Sequence, residues 1–284
     1  MKIVVTGGNG QLGRAFQTLA AADIDIQAVD LDVLDVTNQA QVLQYIEAQK
    51  PAVVVHGAAM TQVDAAEGIP DKAYRINAVG TQNIAAACLR YGCKMVYVST
   101  DYVFAGDQTE AYTEFMPTKP LNVYGKSKLA GEELARSICP RLFIARTAWL
   151  YGDGNNFVRT MLRLGKERKK LQVVNDQTGS PTYAKDLAQA IVALAATEHY
   201  GTYHMTNNGS CTWYEFAKEI FRQSALPVTV EAVTTEAFPR EAKRPPHSVL
   251  RNYMLELTIG DPFRSWQDAL TDYLADEKEK GRVK

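Results

Sequence analysis

The sequence predicts an α/β fold built on a doubly wound parallel sheet, and three observations carry that prediction. Short β-branched runs alternate with longer stretches whose apolar residues recur at three- and four-residue spacing. The alternation starts at the second residue and persists through the first half of the chain. A glycine-rich turn separates the first β-branched run from the first helical stretch, at the strand end where such sheets take their ligands.

In chain order, Lys2 to Thr6, Ile24 to Val29, Ala52 to His56, Met95 to Ser99 and Leu142 to Arg146 read as strands. Between them Gln11 to Ala21, Asn38 to Lys50, Asp71 to Tyr91 and Asn122 to Arg136 read as helices. After Trp149 the alternation becomes irregular, with helices expected near Asn156 to Lys169, Ala184 to Ala196 and Trp213 to Ser224. Residues 1–148 are expected to form a dinucleotide-binding domain. Residues 149–284 are expected to form mainly a substrate-binding lobe, with some segments returning to the first domain. The basic run Arg163 to Lys170 reads as a solvated helix face, and the charged tail Asp276 to Lys284 as a fraying end.

Bulk properties limit the function. The 284 residues carry 31 basic and 32 acidic side chains for a net charge of -1, so no broad positive field exists to hold nucleic acid or an anionic membrane. The first apolar run is only three residues long, and nothing approaches the roughly 18 apolar residues of a membrane span. A cytoplasmic protein is the resulting expectation. Cys88, Cys93, Cys139 and Cys211 show no zinc-like spacing and read as reduced, buried thiols.

Two motifs carry chemistry. Thr6-Gly7-Gly8-Asn9-Gly10-Gln11-Leu12-Gly13 follows a strand and opens a helix. Its glycines permit a tight turn, close approach of a diphosphate, and close packing of helix on sheet. Asp30 ends the second strand at the distance where a carboxylate reaches ribose hydroxyls. Asp35-Val36-Thr37 offers a carboxylate to an adenine amino group, although Thr37 is equally an N-cap for the next helix. The second motif is Tyr124-Gly125-Lys126-Ser127-Lys128, which puts a phenol and an amine on one side of a helix. A neighbouring ammonium favours the phenolate, so Tyr124 is expected to exchange a proton near neutral pH. Thr100 ends the fourth strand at the ligand edge, where its hydroxyl can bond a reacting carbonyl; alone it would be an ordinary strand-end hydroxyl.

With Gly7-x-x-Gly10-x-x-Gly13, Ser99-Thr100 and Tyr124-x-x-x-Lys128 in place, the chain resembles the extended short-chain dehydrogenase/reductases, which have a Rossmann-type fold. Within them it is similar to the dTDP-4-dehydrorhamnose reductase family. The strings His56-Gly57-Ala58-Ala59-Met60-Thr61-Gln62-Val63-Asp64, Ser99-Thr100-Asp101-Tyr102-Val103-Phe104, Arg146-Thr147-Ala148-Trp149-Leu150-Tyr151-Gly152, Asn175-Asp176-Gln177-Thr178-Gly179-Ser180-Pro181-Thr182 and Arg244-Pro245 carry this likeness over residues 1 to 250.

The resemblance implies reduction of a dTDP-linked 4-keto sugar by NADPH or NADH. It places Gly10, Gln11 and Leu12 at the pyrophosphate, Asp30 at the ribose, and Asp35 with Val36 at the adenine. Ala59, Met60 and Thr61 would line the cofactor's inner end. Lys128 would hold the nicotinamide ribose, Tyr124 would donate a proton to the sugar's 4-oxygen, and Thr100 would polarise that carbonyl. Asp101 and Trp149 match sugar-binding positions, while Asn155-Asn156, Gln177 and Arg244 are expected at the nucleotide diphosphate or thymine.

The sequence departs from some relatives, which dimerise through a metal held by acidic side chains. Here Arg14-Ala15-Phe16 follows Gly13, and Lys185 stands where another acid is expected. No metal site is predicted, and the expected state is a monomer or a homodimer without a metal bridge. Asp30, Leu31 and Asp32 bring negative charge to where an NADP phosphate would sit, which favours NADH, yet the family accepts either. Two rival readings remain: a non-catalytic subunit of the methionine adenosyltransferase accessory type, and another sugar-nucleotide epimerase or dehydratase. Intact Thr100, Tyr124 and Lys128 argue against the first. Tyr102, which leaves the dehydratase acidic pair after Thr100 incomplete, argues against the second.

Overall fold

A computed structural model of the chain describes residues 1–19 and 24–282. The first half alternates β1 (Lys2–Thr6), α1 (Gln11–Gln17), β2 (Asp25–Val29), α2 (Gln39–Gln49) and β3 (Val53–His56). Then come α3 (Val63–Gly68), α4 (Pro70–Tyr74), a π-helical turn at Arg75–Val79, α5 (Gly80–Tyr91), β4 (Lys94–Thr100), α6 (Val123–Ile138) and β5 (Leu142–Thr147). The second half runs through β6 (Leu150–Tyr151), α7 (Phe157–Glu167), β7 (Lys170–Val174), β8 (Thr178–Gly179), β9 (Thr182–Tyr183), α8 (Ala184–Ala195) and β10 (Gly201–His204). It closes with β11 (Cys211–Thr212), α9 (Trp213–Gln223), β12 (Thr229–Val233), α10 (Tyr253–Thr258) and α11 (Trp266–Glu279).

The main sheet has the order β10-β5-β4-β3-β1-β2, parallel throughout. Alternating residues bury both of its faces, as continuous Val/Ile strands require. Ile3, Val5, Val53 and Val55 join Leu187 and Ile191 of α8 in one core. Val4 and Val54 join Val42, Ile46 and Ile84 in the other. Strand order reverses between β1 and β3, so the crevice for a ligand opens above their carboxyl ends. A third core, with Tyr151, Phe216, Trp266 and Leu270, gathers β6, α9 and α11.

Three sequence expectations are corrected. The tail does not fray at Asp276, because α11 continues to Glu279. Glu277 is buried and bonds Arg159 through both its oxygens, and Asp276 accepts from the Tyr183 hydroxyl at 2.6 Å. The cap of α2 is Asn38, which accepts from Gln41 N, and not Thr37. The single helix expected over Asp71 to Tyr91 is broken by the π turn. The expected end of the first helix at Ala21, and Val283 with Lys284, lie outside the described residues.

Candidate active site

The chain leaves β1 and turns at Gly7 with a φ of 77°, a left-handed backbone that strains any side chain. Gly8 N donates to Val29 O at 2.8 Å and Gly10 N to Gly7 O at 3.0 Å. Gly10 caps α1 with no side-chain bond to the helix's first amides, which leaves those donors open to an anion. Beside the turn, Asp30 accepts from the Asn9 and Leu31 amides, both at 2.8 Å. It stands on the wall of a cavity of about 690 Å³ together with Asp35, Val36, Ala59 and Thr61. One Asp35 oxygen is taken by the amide and hydroxyl of Thr37, at 2.9 and 2.8 Å.

A second cavity of about 730 Å³ shares Gly7, Gly10, Gly57, Ala59 and Thr61 with the first, and its walls include Gln11, Leu12 and Gly13. Thr100, Asp101, Tyr124, Lys128 and Trp149 line it as well, so the glycine turn and both halves of the Tyr-Lys motif meet in one space. The geometry follows from α6. Asn122 caps it by accepting from Gly125 N at 2.8 Å, and Asn122 Nδ2 donates to Lys243 O at 2.8 Å. Gly125 has no side chain because a Cβ there would collide with the Tyr102 carbonyl. That close approach brings Tyr124 edge-on to Tyr102, with ring centroids 5.8 Å apart.

Burial dominates the electrostatics. Lys128 is 2% exposed, donates to Val98 O at 2.7 Å and lies 4.1 Å over the Tyr97 ring. Desolvation lowers its pKa to about 7, with the Glu132 charge opposing. Desolvation raises Tyr124 to about 12; the Thr100 hydroxyl opposes the rise and the Asp101 charge adds to it. Burial thus opposes the lowering expected from a neighbouring ammonium; Lys128 gives one hydrogen to Val98 O and has two more for a ribose. Asp101, 3% exposed, is pushed up to about 6 by burial, with Ser248 and Thr100 hydrogen bonds opposing.

The structure does not bring every expected residue to these cavities. Met60 sits behind the wall, its amide and carbonyl both bonded to Asn77 at 2.8 and 3.2 Å. Asn156 caps α7, accepting from Arg159 N at 2.9 Å and donating to Gly152 O at 2.7 Å, while its neighbour Asn155 lines the second cavity. Gln177 donates to Thr235 Oγ1 at 2.9 Å. Both arms of the Arg244 fork are engaged by Asp64. Trp149 reaches the cavity with a left-handed φ of 44°, and its ring stacks on Trp213 at 3.4 Å and 6°.

Sequence reasoning missed Trp213, Asn77 and the cavity-lining Arg14 and Arg159. Trp213, Asn77 and Arg159 are brought in by packing between distant segments, whereas Arg14 directly follows Gly13 of the glycine turn on α1. Among the described residues no helix is long and apolar enough to cross a membrane.

The RmlD substrate binding domain family model matches residues 1–279. The spore coat polysaccharide biosynthesis protein SpsK of Bacillus subtilis is 42% identical over 96% of each chain. A dTDP-4-dehydrorhamnose reductase crystal structure from Clostridium acetobutylicum superposes with a TM-score of 0.96 at 49% identity, covering 98% of this chain and 100% of that one. Another, from Bacillus anthracis in complex with NADP, gives 0.95 at 46% identity, covering 97% and 99%. With a match this nearly end to end, the chain belongs to the RmlD substrate binding domain family.

Proposed function

We propose that this protein reduces dTDP-4-dehydro-L-rhamnose to dTDP-L-rhamnose, the last step in making that nucleotide sugar. The observation that carries the reading is the meeting of Thr100, Tyr124 and Lys128 with the glycine turn in one cavity. When bound there, NADPH or NADH supplies the hydride to the sugar's 4-carbon. Gly10, Gln11, Leu12 and Gly13 receive the cofactor diphosphate at the uncapped start of α1, and Asp30 takes the adenosine ribose hydroxyls. Asp35 and Val36 flank the adenine. Ala59 and Thr61, lining both cavities, serve the cofactor's inner half.

Tyr124 holds the proton that the 4-oxygen receives. Its raised pKa suits a donor that is protonated before the reaction, and Lys128 binds the nicotinamide ribose beside it. Thr100 polarises the carbonyl. Trp149 presents its remaining surface to the pyranose. Asn155 replaces Asn156 as the candidate contact to the nucleotide diphosphate, and Arg14 and Arg159 add positive charge to that wall. Lys185 pairs with Asp276 at 3.5 Å, which fits a monomer or a homodimer without a metal bridge. A cytoplasmic setting suits a soluble nucleotide-sugar substrate.

The test is oxidation of NADPH or NADH by the purified protein given dTDP-4-dehydro-L-rhamnose. Tyr124→Phe is expected to lower kcat by roughly 10²–10⁴ with cofactor affinity unchanged. Full activity in that variant removes Tyr124 as the acid. Absence of any turnover in the wild type, with cofactor still bound, points to a non-catalytic nucleotide-binding subunit.

A further inference from the structure

The bend between β6 and α7, residues 152–155, puts Gly154 and Asn155 on the wall of the second cavity. It lies against the glycine turn. Gly154 has a φ of 137°, and a Cβ there would stand 3.3 Å from Gln11 Cγ, while Gln11 Nε2 donates to Leu150 O at 3.3 Å. The bend is neither strand nor helix, so side chains must hold its carbonyls. Asn156 Nδ2 donates to the Gly152 and Gly154 carbonyls at 2.7 and 3.1 Å, and the Tyr273 hydroxyl of α11 donates to Gly152 O at 3.2 Å.

Arg159 ties this bend to the end of α11. Its Nη1 donates to Gly154 O at 3.0 Å and its Nη2 to Asp153 Oδ1 at 2.8 Å. Nε and Nη2 also donate to the two oxygens of Glu277, at 2.9 and 2.8 Å. The Glu277 side chain is 2% exposed, so water screens this pair little. A guanidinium carries five N–H hydrogens. Four are engaged here, which leaves one on Nη1, and Arg159 lines the cavity.

Further cations gather on the same carboxylates. Arg282 lies 2.9 Å from Asp153 and 3.3 Å from Glu277, Lys280 lies 3.4 Å from Asp153, and Arg14 lies 3.8 Å from it. In this network Arg14, Arg159, Lys280 and Arg282 face only Asp153 and Glu277. An excess of positive charge therefore stands beside the cavity wall that Gly10 and Gln11 share, where a diphosphate would complement it.

We propose that Glu277 and Asp153 are positioning residues for the cofactor: they aim Arg159 so that it holds the 152–155 bend against the glycine turn and turns its remaining hydrogen toward the cofactor diphosphate. The end of α11 is thus a latch on the cofactor site, 118 residues along the chain from the arginine it aims. This rests on the cofactor half of the reading above and not on the identity of the sugar.

The test is fluorescence titration of the whole chain with NADH, with displacement by ADP and by adenosine, thermal melting, and turnover of dTDP-4-dehydro-L-rhamnose. Arg159→Met is expected to weaken NADH binding by roughly 10–100-fold, the worth of a charge-assisted hydrogen bond. Arg159→Lys keeps the charge and recovers part of that loss. Glu277→Gln removes the anchoring charge and is expected to weaken NADH about tenfold, with kcat at saturating NADH changed by less than about threefold. In these variants ADP affinity falls with that for NADH and adenosine affinity holds, because the bend meets the diphosphate and not the adenine.

NADH affinity within about twofold of wild type in both Glu277→Gln and Arg159→Met overturns the inference. So do equal losses for ADP and adenosine, which mark a general loosening of the fold. If either variant fails to fold, the double variant Lys280→Ala with Arg282→Ala decides, since those side chains are 41% and 43% exposed. It is expected to weaken NADH about threefold, and unchanged affinity there overturns the inference. A wild type that binds NADH but turns over no sugar defeats the reductase reading and leaves the latch standing; one that binds no NADH defeats the cofactor reading itself.

Discussion

At the scale of single residues, the buried pair behind the site shows how much one carboxylate can hold. Glu132 is 0% exposed, accepts Arg146 Nε at 2.9 Å and Nη2 at 2.7 Å, and receives Ser99 Oγ at 2.5 Å. Ser99 immediately precedes Thr100, and Glu132 lies four residues after Lys128 on α6, so the pair fixes both from behind. Removing one partner leaves an uncompensated buried charge. Glu132→Ala is expected to cost about 3–5 kcal/mol, measured by urea unfolding. A loss below about 1 kcal/mol would mean the pair behaves as a surface ion pair. The Tyr-Lys spacing was readable from sequence because both groups belong to one helix. Glu132 was not recognised, since a glutamate on an amphipathic helix looks solvated until β5 supplies Arg146.

Among the elements, α4 to α5 shows what periodicity misses. The run from Asp71 to Tyr91 reads as one helix, but the backbone takes a π turn at Arg75–Val79. There Asn77 bonds both backbone groups of Met60 and the Ser127 hydroxyl, the last at 2.9 Å. Those tertiary bonds tie the loop after β3 to the helix of Tyr124, and they offset a distortion that local propensity does not favour. The start of α9 makes a similar point. Thr212 and Glu215 form a capping box, which fixes Trp213 against Trp149 and sustains the latter's left-handed backbone. Trp213→Ala is expected to raise KM for the dTDP-sugar by about tenfold with a smaller change in kcat, and Trp213→Phe to restore part of it. A lowered kcat with an unchanged KM would place Trp213 outside substrate positioning.

For the whole molecule, the six-strand sheet buries two histidines that cannot be protonated cheaply. His56 bridges Thr6 and Thr81 at 2.8 and 3.1 Å, and His204 faces the Tyr112 and Arg251 carbonyls at 3.0 and 3.2 Å. Burial first, and then the charges of Lys128 and Arg146 respectively, lower both from 6.5 to about 3. The unfolded chain therefore takes up these protons first as pH falls. Stability from the neutral rings is complete above 6.5 and declines on the way down to 3. By pH 5 each histidine is expected to cost about 2 kcal/mol of unfolding free energy relative to pH 7. His56→Gln should flatten roughly half of that slope; an unfolding free energy constant from pH 7 to 5 would contradict it.

The sequence by itself determined the parallel sheet, the glycine turn and the Tyr124-Lys128 helix, because each depends on residues close together in the chain. Short β-branched runs, glycines at a strand end and i, i+4 spacing are local signals. Tertiary structure alone decided which side chains reach the cavity. It drew Asn156 into a cap, Arg244 onto Asp64 and Trp149 onto Trp213, and it buried Asp101. The physical reason is that burial and charge pairing come from segments far apart in sequence, and no short pattern reports them.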